Sequence, residues 1–562
     1  KADAKSGHGL AGAAYGVYSD KACTDKLAEM TTGEDGTATS EAFDITGRSV
    51  VYVKEKTAPT GYAADQTVHE VKVADGKTSE LKVTDERQTG TLSIQKYGEG
   101  LTLVQPSSLD AAGGAETVTE GTGIYTKLNY YDYATVAGVE FGLYAREDIV
   151  APDGSGEILY KAGAQVTTLT TGEDGMARAT GLPLGRYYLK ELKAGTNYVL
   201  GTEETDVTIT ASDDEQGAAV IDRSEELHNA RQKVQVSLEK KDSVSGKPLE
   251  GVVFGLYTAE DIPDDESGEV YVKAGTLLEK KATDENGELT FDSELPNGKY
   301  YVREEATIPG YLPSDDVWDI DATYKAEDQA LSTIEVSHEF ENQPTVTKIT
   351  KSDATTGEEL PGARLQVIDK DGSVVEEWTS TEEERVIYAL AAGTYTLHEV
   401  MPPYAQGYVS AIDQTFEVKE DGSVAEVEMR DEYSKAEFSK KDKDTGKALK
   451  GARLQVLDRD GKVLDEWVTD GAAHTLEKLP VNEELTLHEV SAPEGYETAS
   501  DVKFTLKDTA EVQKVEMLDA RAKTVAATMP KTGDDQIVAA IALGALGAAF
   551  VSGAVIRSRR SM

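Results

Sequence analysis

Cysteine is nearly missing from this chain of 562 residues: Cys23 stands alone. No disulfide can form within one molecule, and a paired-cysteine metal site is excluded. Basic residues are also scarce, with 57 lysines and arginines against 103 aspartates and glutamates and a net charge of −46. A nucleic-acid partner needs a basic face, so that class is excluded. The acidity reads as solubility and self-repulsion along an extended molecule, with calcium binding the minor reading. Residue 1 is a lysine with no signal peptide before it, so the chain reads as a mature piece or a fragment. At this length several domains are expected, not one core.

Long apolar runs are absent until the end. Ile537 to Ile556 is a continuous apolar and small-residue stretch, at about 20 residues long enough to span a bilayer as a helix. Arg557, Arg559 and Arg560 follow, which places the bulk of the chain outside the cell. Immediately before stands Met529-Pro530-Lys531-Thr532-Gly533. This three-part ending resembles the sorting signal of Gram-positive surface proteins, usually Leu-Pro-x-Thr-Gly, with Met529 in place of Leu. The resemblance implies cleavage by a sortase between Thr532 and Gly533 and transfer of Thr532 to a peptidoglycan or pilin amine. The membrane span would serve only before that cleavage.

Three phrases recur along the chain. The first is Lys-x-Asp, then Gly, then Leu-x-Gly, beginning at Lys1, Lys240, Lys351 and Lys440. A variant begins at Lys96, separated from Ala137-Gly138 by an insertion rich in Gly, Thr, Ser and Tyr that reads as a long loop. The second is an apolar-alternating run ending in Glu55, Glu191, Glu304, Glu399 or Glu489. The third closes each unit at Asp85, Asn229, Asn342, Asp431 or Asp519. Short alternating runs and turns such as Asn286-Gly287, Asp371-Gly372 and Asp460-Gly461 lie between them. Strands and turns at this spacing predict tandem all-β sandwiches of roughly 90 residues each. The expected divisions are 1–87 (N-terminally truncated), 88–232 (with the long loop), 233–344, 345–433 and 434–521. A linker with the sorting motif (522–535) and a transmembrane helix with its basic tail (536–562) follow.

Strand side chains alternate faces with period two. Val234, Val236 and Leu238 share parity with Lys240, and Leu92 and Ile94 with Lys96. Leu485 and Leu487 lead to Glu489, and Val515 and Met517 to Asp519. Each unit therefore points a Lys, a Glu and an Asp or Asn inward, where unpaired charge is costly and the three must meet. A buried salt bridge would explain one such trio, but recurrence in five units points to chemistry. Desolvation favours the neutral amine and the protonated Glu. The amine can then attack the Asp or Asn carbonyl while the Glu carries protons to the leaving group.

These phrases resemble the collagen-adhesin B-type domain, the prealbumin-like (SpaA-like) pilin repeat of Gram-positive surface proteins. In that family the catalytic Glu opens a Glu-x-x-Ala-Pro-x-Gly-Tyr box. The runs from Glu55 to Tyr62 and from Glu489 to Tyr496 match it fully, Glu304 and Glu399 match loosely, and Glu191 lacks the Pro and the Gly-Tyr spacing. The resemblance implies isopeptide bonds Lys1–Asp85, Lys96–Asn229, Lys240–Asn342, Lys351–Asp431 and Lys440–Asp519. They close loops of roughly 80 to 130 residues, which loop-closure entropy values at about 4–5 kcal/mol.

The function expected is a wall-anchored stalk or adhesin-type surface protein, not an enzyme beyond one turnover per bond, without a cofactor or metal. Its partners would be the sortase, a wall or pilin amine, and a host or matrix ligand that the sequence does not name. The other reading is a pilin subunit. Shaft pilins of the family carry a Tyr-Pro-Lys motif, which Ile124-Tyr125-Thr126-Lys127 only echoes. A metalloenzyme fails because His398-Glu399 and His488-Glu489 have no second His at helical spacing. Trp378 and Trp467, at matching positions, read as packing residues.

Overall fold

A computed structural model describes residues 1–102, 121–265 and 267–523. The expected sorting motif and transmembrane helix lie outside them. Among the described residues, no helix is long and apolar enough to cross a membrane. The chain divides into two compact units. The first comprises Lys1–Ser352, Thr356–Val400 and Ile412–Arg430. The second comprises Asp353–Thr355, Met401–Ala411 and the described residues from Asp431 onward.

In the first unit, the third repeat shows the plan most fully. One sheet holds Lys233–Asp242 between Glu288–Thr290 with Leu295–Pro296 on one side and Thr333–Asn342 on the other. The facing sheet runs Val317–Ala322, Gly298–Ala306, Val253–Thr258, Leu277–Ala282. Val234, Val236, Leu238, Phe254, Leu256, Tyr300 and Val302 fill the space between them. The second repeat repeats this plan around Leu92, Ile94, Phe141, Leu143, Tyr187 and Leu189. The second unit does so with Lys435–Asp442, His474–Glu477 and Val512–Asp519 against Lys450–Leu457, Val463–Asp470, Glu484–Ser491 and Val502–Thr505. In Lys435–Asp442 half-buried and buried positions alternate strictly, as a strand with one face on the core requires.

One pairing governs the chemistry below. The first and last strands of a repeat run parallel, with Asp242 opposite Asn342, Gly98 opposite Asn229, Asp442 opposite Asp519 and Asp3 opposite Asp85. The lysine two residues earlier in the first strand has the same parity as the acceptor. Both therefore project from one face of the sheet, one diagonal step apart.

The predicted hairpin turns are present. Gly287, Gly372 and Gly461 have φ of +74°, +86° and +79°, a region glycine enters without steric cost. Asp369 Oδ1 accepts from the amides of Asp371 and Ser373, so this segment is a turn. Trp467 packs on Phe438 and His474 at the core edge. His398 and His488 are half-buried and pair with Asp413 and Asp501 at 2.8 and 2.7 Å.

The segment read as a long loop in the second repeat differs from that expectation. Its strand Thr89–Leu101 runs on past Lys96, and Tyr130–Thr135 folds back to pair with it. Gly123–Ile124 pairs with Leu277–Ala282 and adds a fifth strand to the third repeat's sheet. Leu101 and Leu128 sit in the third repeat's core, 1% and 8% exposed. The Gly- and Tyr-rich composition hid this because the strand's partner lies in another repeat, where periodicity within the segment carries no signal. Leu128→Ala is expected to destabilise the third repeat by about 2–4 kcal/mol. Hydrogen exchange should quicken in Val253–Thr258 and Leu277–Ala282 but not in Glu140–Ala145. Unchanged exchange in the third repeat would contradict the packing.

Candidate cross-linking sites

Each site is built where the first strand, the last strand and the Glu-bearing strand of the facing sheet converge. In the third repeat Lys240 Nζ donates to Asn342 Oδ1 at 2.7 Å and lies 3.0 Å from Glu304 Oε2. Asn342 Nδ2 donates to both Glu304 oxygens, at 3.1 and 3.0 Å, and to Thr307 Oγ1 at 2.8 Å. In the second repeat Lys96 Nζ is 2.7 Å from Asn229 Oδ1 and 3.2 Å from Glu191 Oε2, and Asn229 Nδ2 donates to Glu191 Oε1 at 2.6 Å. In the first repeat Lys1 Nζ contacts Asp85 Oδ1 and lies 3.3 Å from Glu55 Oε1. In the second unit Lys440 contacts Asp519 and lies 2.9 Å from Glu489. In the fourth repeat Lys351 meets Glu399 at 2.8 Å. Its expected partner Asp431 is fully buried but belongs to the second unit.

Burial sets the electrostatics. Lys240 is 0% exposed and Lys96 2%. Desolvation lowers both lysine pKa values against the opposing pull of Glu304 and Glu191. Desolvation, with Glu55 adding to it, pushes Asp85 up to about 6, and desolvation raises Asp519 as well. Aromatic rings wall the amines: Lys1 lies over Tyr15, Lys96 over Phe141, and Lys240 over Phe254. A backbone amide holds the Glu in place in three sites, from Asp65 to Glu55, Ser314 to Glu304, and Ala499 to Glu489. The first, second, third and fifth sites each gather a buried amine, a side-chain carbonyl and a carboxyl close to them. The amine can lose a proton to the Glu, attack the acceptor's Cγ, and release ammonia from Asn or water from Asp as the Glu returns the proton.

Two further residues, present in the sequence motifs, shape these sites. The Asp of Lys-x-Asp is buried and accepts from the Tyr of the Gly-Tyr box: Tyr62 to Asp3 at 2.6 Å, Tyr311 to Asp242 at 2.8 Å, Tyr408 to Asp353 at 2.6 Å and Tyr496 to Asp442 at 2.7 Å. The other carboxylate oxygen of Asp3 and Asp442 caps the turn after the first strand. Burial opposes ionisation of Asp3, yet the hydrogen bonds from Arg87 and Tyr62 hold its carboxyl below the usual range. The second repeat has Gly98 where the others have this Asp, and Tyr198 donates to the Glu99 carbonyl at 3.0 Å instead. Its missing Gly is replaced by Asn197, at φ +72°, a residue that tolerates the left-handed region. The signal available in sequence was that Asp and Gly-Tyr occur together in four repeats and are both altered in the second. Loss of a hydrogen bond to a buried carboxylate costs more than loss of one to a carbonyl. Tyr496→Phe is therefore expected to cost about 1.5–3 kcal/mol and Tyr198→Phe about 1 kcal/mol. Equal shifts in urea unfolding would contradict the buried-carboxylate account.

The SpaA prealbumin-like fold domain matches residues 1–87, 121–223, 234–337, 345–433 and 434–521. No curated protein matches the chain. Among solved structures, the chain is similar to the Bacillus anthracis TIE protein, at 18% identity over 75% of this chain and 69% of that one, TM-score 0.39. It is also similar to BcpA, the major pilin subunit of Bacillus cereus, at 17% identity over 52% and 100%, TM-score 0.24. The full-length major pilin SpaD from Corynebacterium diphtheriae matches at 16% identity over 52% and 98%, TM-score 0.23. With five matched segments spanning most of its length, the chain belongs to the SpaA prealbumin-like fold family.

Proposed function

We propose that the chain is a structural stalk or adhesin-type surface protein, anchored to a Gram-positive cell wall by sortase and locked by one intramolecular Lys–Asp or Lys–Asn isopeptide bond per repeat. The observation that carries this reading is the recurrence of one buried trio at the same strand positions. In the second and third repeats the lysine Nζ lies 2.7 Å from the Asn side-chain oxygen with a Glu touching both. Bond formation joins lysine Nζ to the acceptor's Cγ and releases ammonia at Asn229 and Asn342, or water at Asp85, Asp431 and Asp519. Glu55, Glu191, Glu304, Glu399 and Glu489 carry the proton from amine to leaving group. Nothing is turned over a second time, so the protein is a product of this chemistry and not an enzyme.

The sorting motif Met529 to Gly533, the apolar run after it and the basic tail support anchoring at Thr532. A pilin subunit is the second reading, favoured by the family. Two outcomes separate them. A stalk appears in wall extracts as one covalent species, whereas a polymerised subunit gives a ladder of multimers. Thr532→Ala should abolish wall retention and send the protein to membrane or medium in either case; undiminished wall retention would sink the anchoring claim. Glu304→Ala should leave the third repeat uncross-linked and lower its stability by about 4–5 kcal/mol through the lost loop closure. Mapping of tryptic peptides reads the bond directly: the branched Lys240–Asn342 peptide should vanish in this variant while the Lys96–Asn229 one persists.

A further inference from the structure

Two of the linkers between repeats share a dipeptide, Arg87-Gln88 and Arg231-Gln232, and it stands two residues past the acceptors Asp85 and Asn229. Among the described residues, only the repeats that follow these linkers carry an extra hairpin. It is formed by Ile149–Val150 with Ile158–Tyr160 in the second repeat and by Ile262–Pro263 with Val270–Val272 in the third. In the fourth and fifth repeats short turns at Asp369–Ser373 and Asp458–Lys462 stand in that place.

The two features meet. Arg87 donates Nε to Asp3 Oδ2 at 2.7 Å, within its own repeat, and Nη2 to Asp153 Oδ2 at 3.0 Å, on the next repeat's hairpin. Ser6 Oγ reaches the same Asp153 oxygen at 2.8 Å. At the second linker Arg231 Nη1 lies 2.5 Å from Asp265 Oδ2 on the third repeat's hairpin, an oxygen that also accepts from the Leu101 amide at 2.6 Å. Arg231 is 6% exposed and Asp153 4%. The glutamine plays the complementary part. Gln88, 2% exposed, donates Nε2 to the carbonyls of Glu215 and Ala218 at 3.1 and 2.8 Å. Gln232, 0% exposed, donates to those of Asp328 and Leu331 at 2.8 and 2.9 Å. Both pairs of carbonyls lie in or beside a short 3-10 turn of the following repeat. A charge this buried and this directional resists bending more than an exposed ion pair does.

We propose that the Arg-Gln linker and the hairpin aspartate form a joint lock. The arginine clamps the two repeats from one side and the glutamine plugs the following repeat from the other, so the angle between them is fixed. The first three repeats then act as one stiff length. At the positions equivalent to Gln88 and Gln232 the fourth repeat has Thr345, whose Oγ1 donates to the Leu390 carbonyl, and the fifth has Ser434, whose Oγ donates to the Leu479 carbonyl. Pro344 and Tyr433 stand in place of the arginine. The lock uses none of the cross-linking side chains, so it stands or falls separately from the isopeptide reading.

Trypsin tests it, because its cleavage sites are the lock arginines themselves. Arg87 is bridged to Tyr62 and Arg231 to Tyr198, so cutting after either requires the joint to open. When opening is fast, the cleavage rate follows the open population. In the full chain Asp153→Asn should raise native-state cleavage after Arg87 on the order of tenfold and leave Arg231 protected. Asp265→Asn should do the reverse, and Gln88→Ala should act at Arg87 alone. Intact mass of each variant reports whether its cross-links match those of the parent chain. Unchanged cleavage at the targeted joint, or an equal rise at both joints, would overturn the lock.

Discussion

A lysine ammonium inside a β-sandwich is the constraint on which the rest depends. Lys96, Lys240, Lys351 and Lys440 are each 3% exposed or less, and charge so placed must be paired, neutralised or converted into something uncharged. The fold meets that demand by geometry. Parallel pairing of first and last strands sets the acceptor one diagonal step from the amine, and the facing sheet supplies the glutamate. Conversion to an amide removes two buried charges in the Asp sites, and in the Asn sites it replaces an amine and an amide by a single amide. On this account the cross-link relieves the cost of the burial that makes it possible.

Parallel pairing also has a mechanical meaning. The start of the first strand and the end of the last lie at opposite ends of the pair, so tension along the chain shears it. On the proposed reading, a covalent tie between the two strands would carry that load in place of the disulfides a chain with one cysteine cannot make. The buried Asp–Tyr contacts close to the lysine sites brace the same corner. Asp442, for example, receives Tyr496 and also Arg521, at 3.1 Å, just beyond the last strand of its repeat. In the second unit Lys478 donates to both Asp353 and Tyr408, so a cation serves that corner too.

Much of this was legible in sequence because strand periodicity is strict. Counting by twos from Val234 to Lys240, or from Val515 to Asp519, identifies the inward face without knowledge of the partner strand. The lysines, glutamates and acceptors all follow from that count and from repetition. What escaped depends on partners in a neighbouring repeat. Gly123–Ile124 is a strand only because Leu277–Ala282 offers it an edge. Arg87 and Gln88 look like linker residues until Asp153 and the carbonyls of Glu215 and Ala218 are placed beside them. Asn197 hid a Gly-Tyr box because the requirement is for a left-handed backbone, which asparagine also satisfies. The motif Met529 to Gly533 is the opposite case: its reading as a sorting signal rests on sequence alone, and its residues lie outside those the structure describes.

The most direct measurement is the intact mass of the folded chain. Three Asp bonds and two Asn bonds expel three waters and two ammonias, so the protein should weigh about 88 Da less than its sequence. A mass equal to that of the sequence would mean that the five trios are buried ion pairs and nothing more, and that packing alone holds the repeats.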